Sequence, residues 1–320
     1  MLTIKDDKFD RKVNLDELVS LLYAVKKKSQ LLEENETQLE IQKELERLRE
    51  KFKFLLFRAY KGSQLSGFIL LLINTPKFGI LWDWNPVVLP DENEINITRE
   101  LLMRCIESAK KRDITRLEVC FAIESEAHKY LYSKQVDWYK AIGFKKLTEE
   151  VNMRFNLEKF IPHDMRLPNK CKIETLDLVN QALLPQIAYL VFNNSEDTMF
   201  LDLGEDEKRV MCEKYFDLTQ QIVQDASYIL KEGDEIIGFS IIRGNGEETQ
   251  LTSLGIVPKR RNKGLAKGLL LLCLEKLREK GFRNVYLDVV VENVPAYNLY
   301  TKIGFKLINS TIIYALICRI

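Results

Sequence analysis

Hydrophobic positions along the 320-residue chain change period several times, and the changes predict its elements. Between Asn14 and Lys51, Leu and Val stand at helical spacing among many Glu and Lys, with LEENETQ as a polar break. That pattern predicts two amphipathic helices whose charged faces are solvated. YKGSQLSGFILL from Tyr60 then reads as hairpin strands, and it resembles LKEGDEIIGFSII from Leu230. LLMRCIESAKKRDITRLEV from Leu101 likewise resembles LLLLCLEKLREKGFRNVYL from Leu269, and WYKAIGFKKL from Trp138 resembles LYTKIGFKLI from Leu299. The matches keep their order. Each half therefore predicts strand, strand, helix, strand, a short helix running into an IGF turn, and a final strand. The repeat is far longer than a solenoid unit, so it marks a duplicated domain. The expected boundaries are 1–157 for the first copy, 158–172 for a proline-containing linker and 173–320 for the second copy, both of mixed α/β class.

In the second copy, Leu176 to Val191 and Glu205 to Phe216 predict helices joined by the polar loop FNNSEDTMFLDLG. Next, ASYILKEGDEIIGFSIIRGNGEETQLTSLGIV predicts three antiparallel strands with turns at Gly233-Asp234 and Asn245-Gly246. The third strand ends at Pro258, and a helix follows from about Gly264 to Lys280, with an apolar stripe at Leu265, Leu269, Leu272, Cys273 and Leu277 and a stop at Gly281. RRNKGLA thus sits between a strand end and a helix start, where unsatisfied amides and the positive end of the helix dipole favour an anion. Gly264 lets the backbone approach closely, Ala266 keeps the next turn small, and Arg260, Arg261 and Lys263 add positive charge. A pyrophosphate is the natural occupant. Neither GxxxxGK[ST] nor GxGxxG occurs, which excludes the common nucleotide loops.

Composition narrows the classes. Lys+Arg 48 against Asp+Glu 47 leaves a net charge of +1, which argues against a nucleic-acid-binding surface, so basic chemistry must be local. The six cysteines contain no CxxC pair, and His128 and His163 are the only histidines, so neither a metal nor a disulfide framework is expected. The N-terminal MLTIKDDKFDRK is charged and the apolar runs are short, so a cytoplasmic protein without a membrane partner is expected.

LGIVPKRRNKGLAKGLL, through Pro258, Arg261, Gly264 and Ala266, together with NVPAYNLYTKIGF, through Asn293, Ala296, Leu299, Tyr300, Gly304 and Phe305, resembles the GNAT (Gcn5-related N-acetyltransferase) superfamily. The resemblance covers the second copy and reaches the first through the repeat, implying two tandem GNAT-like folds. It implies an acyl-CoA, acetyl-CoA first among them, as cosubstrate. Its pyrophosphate would lie on the amides of Arg261, Asn262, Lys263, Gly264, Leu265 and Ala266, and its pantetheine arm along Leu254, Ile256 and Val257, with Asn293 bonded to that arm. Gly255 suits a bulge or a close approach. The resemblance further implies Tyr300 as general acid to the departing thiolate. Where the histone-acetyltransferase branch carries a glutamate base, this chain has Gln250; Glu248 or Glu292, acting through water, is a candidate, or the amine arrives deprotonated, and the base stays open. The acceptor would be an amine on a small molecule or peptide.

The first copy departs from this pattern. LPDENEINITRELL puts Asp91, Glu92 and Glu94 where the cations belong, with no glycine. Three carboxylates would repel a pyrophosphate. The counterpart of Asn293 is about Ser125, and Tyr139 stands where Tyr300 does, so this copy reads as degenerate. Trp82 and Trp84 alternate on one strand face, as core packing between domains or as an aromatic wall for an acceptor. Cys273, in the apolar stripe, reads as an inert thiol. The reading is acyl-CoA-dependent N-acetyl transfer by direct attack on the thioester, with a non-catalytic acyl-CoA-binding, regulatory or scaffold protein as the alternative.

Overall fold

The computed structural model describes residues 2–32, 36–91, 94–123, 126–161, 167–178, 181–217, 221–245 and 248–318. The chain runs β1 (Leu2–Lys8), α1 (Asp16–Lys28), α2 (Gln38–Lys51), β2 (Phe54–Lys61), β3 (Gln64–Thr75), β4 (Phe78–Trp82), β5 (Val87–Val88), α3 (Glu94–Lys110), β6 (Arg116–Ile123), α4 (Glu126–Ala141) and β7 (Lys145–Asn156). It continues through β8 (Cys171–Thr175), α5 (Leu184–Phe192), α6 (Thr198–Leu201), α7 (Glu205–Tyr215), β9 (Tyr228–Glu232), β10 (Glu235–Asn245), β11 (Glu248–Ile256), α8 (Leu265–Glu279), β12 (Asn284–Val290), α9 (Val294–Ile303) and β13 (Lys306–Ile317).

Two compact units result, and they differ from the expected boundaries. One comprises Met1–Leu147 with Thr311–Ile320, the other Thr148–Ser310. The repeat is visible in both, but each takes its last strand from the opposite copy. In unit 1 the order is β1-β2-β3-β4-β6 followed by β13; in unit 2 it is β7-β12-β11-β10-β9-β8. β7 pairs antiparallel with β12 from Asn284↔Asn156 to Val290↔Glu150, and Val151, Met153 and Phe155 enter the core of unit 2. Tyr314 and Cys318 enter that of unit 1, where the Cys318 amide meets the Thr115 carbonyl at 2.7 Å. Both strands present apolar residues at alternate positions, so either sheet can bury one face of them.

Local signals set most helix ends. Thr37 and Glu40 form a reciprocal capping box at the start of α2. In the second copy the expected helix from Leu176 begins only at Leu184, after two single turns of 3-10 helix at Leu176–Leu178 and Gln181–Leu183. Pro185 is the reason: without an N–H it fits the first turn and not the interior. α8 follows its expected span and buries Leu265, Leu269, Leu270, Cys273, Leu274 and Leu277. Gly233, at φ +61°, makes the β9–β10 turn. The expected turn at Asn245-Gly246 lies partly outside the described residues, as do Glu92, Ser125 and His163. Among the described residues no helix is long and apolar enough to cross a membrane.

Candidate active site

Unit 2 opens where two strands part. β11 and β12 run parallel and pair only from Glu248↔Asn284 to Gln250↔Tyr286. Beyond Gln250, β11 stays with β10 alone, and the register shift between Ile241 and Ile242 leaves Thr252 as an extra residue. Such a bulge bends its strand. The bulge therefore falls at Thr252 and not at Gly255, whose role is close approach: an added Cβ there would lie 2.5 Å from Val191 Cγ1. The Val257 amide donates to Ile237 at 2.9 Å on the β10 side. By alternation the polar backbone groups of Leu254 and Ile256 face the opposite, open edge. A cavity of about 400–500 Å³ fills that gap.

At its floor lies the RRNKGLA loop. Asn262 (φ +61°) and Gly264 (φ +75°) are both left-handed, which turns the loop into α8. Gly264 is the N-cap with no side-chain capping bond, and an added Cβ there would meet nothing within 4 Å. Among the described residues, no acceptor meets the amides of Asn262, Lys263, Gly264, Leu265, Ala266 or Lys267. These unsatisfied donors at the positive end of a 15-residue helix make an anion cradle.

The two arginines are committed elsewhere, contrary to their expected role as mobile charge. Arg261 donates from Nε to the Ile256 carbonyl at 3.1 Å, from Nη2 to Val191 at 2.8 Å and from Nη1 to the Asn194 carbonyl. Val191 and Asn194 close the C-terminal end of α5, so this guanidinium caps that helix and ties it to the cradle. Burial lowers its pKa, opposed by the Glu196 carboxylate. Arg260 is paired with Glu232, Nε to Oε2 at 2.7 Å. Lys263, exposed, and Lys267, on the cavity wall, have no ion-pair partner among the described residues. They supply the free positive charge. Lys267 was missed by sequence reasoning, although its place in the first turn of α8 is a usable signal.

At the other end, Asn293 is the N-cap residue of α9 yet makes no side-chain capping bond, so its amide is available to the cavity. Tyr300, on α9, is 7% exposed and lines the same cavity. Burial raises its hydroxyl above the ordinary tyrosine range, and the Asp197 carboxylate adds to this. Asp197 caps α6 through the Phe200 amide at 3.1 Å, and its own pKa is raised by burial, against the amides of Phe200 and Met199. Leu254, Ile256, Leu265 and Ala266 line the cavity. Val257 is instead buried against β10, and Lys263 stands outside the wall. Glu248 begins β11, but its side chain lies outside the described residues. Gln250 donates to Asp288 at 2.9 Å, and Glu292 accepts from Thr148. The wall formed by Val191, Phe192, Asn194, Ser195 and Glu196 was unforeseen as a unit, since it depends on α5 packing beside β11. Cys273 has its thiol pushed up to about 12 by burial, with Sγ 3.1 Å from Ser240 Oγ, which makes it a poor nucleophile.

Among the described residues of unit 1, the two strands that correspond to β11 and β12 do not part. β4 and β6 pair continuously from Phe78↔Arg116 to Trp82↔Cys120. Tyr139 is fully buried and donates to the Asn85 carbonyl at 3.0 Å. Glu94, read as one of the carboxylates in place of the cradle cations, is 6% exposed and ion-paired with Lys134.

Residues 196–305 match the Acetyltransferase (GNAT) family. Over 86 residues the chain is 35% identical to mycothiol acetyltransferase of Corynebacterium glutamicum, covering 27% of this chain and 30% of that protein. The chain thus spans under a third of that relative's length. In fold it is similar to a GCN5-related N-acetyltransferase from Sphaerobacter thermophilus, with TM-score 0.60, 15% identity, and 100% and 96% of the two chains covered. It is also similar to a tandem GNAT protein from the clavulanic acid biosynthesis pathway, with TM-score 0.54, 13% identity, and 100% and 99% covered.

Proposed function

Because residues 196–305 form a GNAT-family acetyltransferase domain, we propose that unit 2 transfers an acyl group, acetyl in the first instance, from CoA to an amine. The observation that carries this reading is the row of unpartnered amides from Asn262 to Lys267, opening onto the cavity that holds Tyr300. The residues fit such a cosubstrate: donors without acceptors suit a pyrophosphate, and the bare surface above Gly264 leaves it room. Lys263 and Lys267 add charge, the backbone of Leu254 and the Ile256 amide on the open edge offer partners to an extended amide-bearing arm, and Asn293 offers a side-chain amide.

The bound thioester supplies an activated acyl carbon and a thiolate leaving group. A strand N–H on the open edge of β11 would polarise the carbonyl oxygen. Tyr300, kept protonated by burial, holds the proton that the thiolate requires. The neutral amine attacks the acyl carbon, the C–N bond forms as the C–S bond breaks, and Tyr300 gives its proton to the thiolate. The proton lost from nitrogen passes to solvent and returns one to Tyr300, and no enzyme residue becomes acylated. Unit 1 binds no acyl-CoA in this reading.

One observation favours a second reading, in which the unit binds acyl-CoA without catalysis: Gln250 replaces the strand carboxylate and is bonded to Asp288. The test is thiol release from acetyl-CoA in the presence of a panel of amines, run with Tyr300→Phe. Release that depends on amine and falls with Tyr300→Phe supports catalysis. Calorimetric binding that is lost in Gly264→Glu, with no release from any amine, favours the second reading.

A further inference from the structure

Unit 1 has a cavity of its own, about 400 Å³, between α1, α2 and the end of β4. Leu22, Leu45 and Leu48 form an aliphatic side and Trp82 and Trp84 an aromatic one. The two indoles lie 5.7 Å apart at 41° to each other, braced from behind by Phe54 at 5.3 Å from Trp82 and Phe68 at 6.3 Å from Trp84. The rings pack on the core of their own unit, not between domains, and wall a cavity there.

Asp83, between the two indoles, lines the same space. Its Oδ2 accepts from the Tyr132 hydroxyl at 2.7 Å, and the amides of Trp84 and Ala122 also bond to it. The carboxylate stands just past the last β4–β6 pair, Trp82↔Cys120. Among the described residues no cation forms a salt bridge with Asp83; Lys26, the cation on the wall, is bonded to Glu36 and acts on Asp83 only at a distance. Glu44, at the rim, is paired with Arg47 on its own helix. The cavity therefore combines a held carboxylate lacking a direct counter-ion, two π-faces and an aliphatic wall. An anion would meet Asp83 unfavourably, and a neutral ligand would leave its charge uncompensated. A cation with an apolar body satisfies all three surfaces at once.

We propose that this cavity of unit 1 is a binding site for a small organic ammonium ion carrying an aromatic or branched apolar group. The site is separate from the acyl-CoA reading of unit 2 and stands whether or not that reading holds.

Trp82, Trp84 and Trp138 are the three tryptophans, so in a full-length Trp138→Phe protein indole fluorescence reports on this cavity alone. We would titrate it with phenethylamine, 2-phenylethanol and phenylacetate, three probes of similar shape that differ in charge. The expected result is a saturable fluorescence change with phenethylamine, at least about tenfold weaker binding of the alcohol, and none of the acid. Asp83→Asn should remove the preference for the amine, and Gly264→Glu should leave it intact. Equal affinity for amine and alcohol, tighter binding of the acid, or no saturable change with any probe overturns the proposal. Because the charge series is read on a protein with Asp83 in place, failure of Asp83→Asn to fold does not remove the test.

Discussion

Replacing Arg261 separates two roles that a basic loop can play. If its guanidinium served a phosphate by charge, Arg261→Lys would retain most of the function. The structure assigns it instead to the carbonyls of Val191, Asn194 and Ile256. A lysine ammonium is a point donor on a flexible stem and cannot span three carbonyls in the plane of a fork. A buried carbonyl that loses a charged donor costs about 1–3 kcal/mol. Val191 and Ile256 are buried, while Asn194 is exposed and can turn to water. The expected loss is about 3 kcal/mol, or roughly 6–12 °C in Tm at about 2–4 °C per kcal/mol. Both Arg261→Lys and Arg261→Ala should show it in thermal denaturation. Because the freed segment from Val191 to Glu196 walls the cavity, the KM for both substrates should rise in the two variants alike. A lysine variant with wild-type Tm and acyl-CoA affinity, beside an alanine variant that keeps its Tm and loses affinity, refutes the clamp.

The cradle gives a second test. Gly264→Glu should weaken acetyl-CoA binding by more than about tenfold in calorimetry, since it combines like charge with left-handed strain of about 1–2 kcal/mol. Gly264→Asn, which tolerates that conformation, should still bind, and a wild-type stoichiometry of two sites per chain would contradict the closed reading of unit 1. Tyr300→Phe should cost roughly 10²–10⁴ in kcat with little change in Tm. Because burial raises the Tyr300 pKa above its ordinary value near 10, the acid form persists through the neutral range; a descending rate limb near about pH 8 that disappears in Tyr300→Phe would contradict this. Asp197 also has a raised pKa, so the folded state holds its proton more tightly than the unfolded state. The resulting destabilisation is absent below the ordinary carboxylate range and grows as pH rises through the folded value. Asn caps a helix as well as Asp, so Asp197→Asn should raise Tm at about pH 8 and leave it unchanged at about pH 3.

The sequence by itself determined the duplication, the strand and helix order, and the place of the anion loop. These depend on local patterns: apolar periods, turn glycines and prolines, and a loop motif whose amides belong to the backbone of neighbouring residues. It also set Asn293 and Tyr300 on one helix, where the cavity meets them. What only the tertiary structure decided are matters of long-range pairing. The exchange of β7 and β13 between units is invisible to a pattern, because each strand offers an apolar face that either sheet can bury. The opening in unit 2 depends on where β11 and β12 cease to pair, and its absence between β4 and β6 on their continuous pairing to Trp82↔Cys120. Arg261 reads as a phosphate ligand in the sequence and is a helix clamp in the fold, since charge is a property of the residue and its partner is a property of the packing. Glu94 follows the same rule: a carboxylate placed by the motif against a pyrophosphate is buried instead against Lys134.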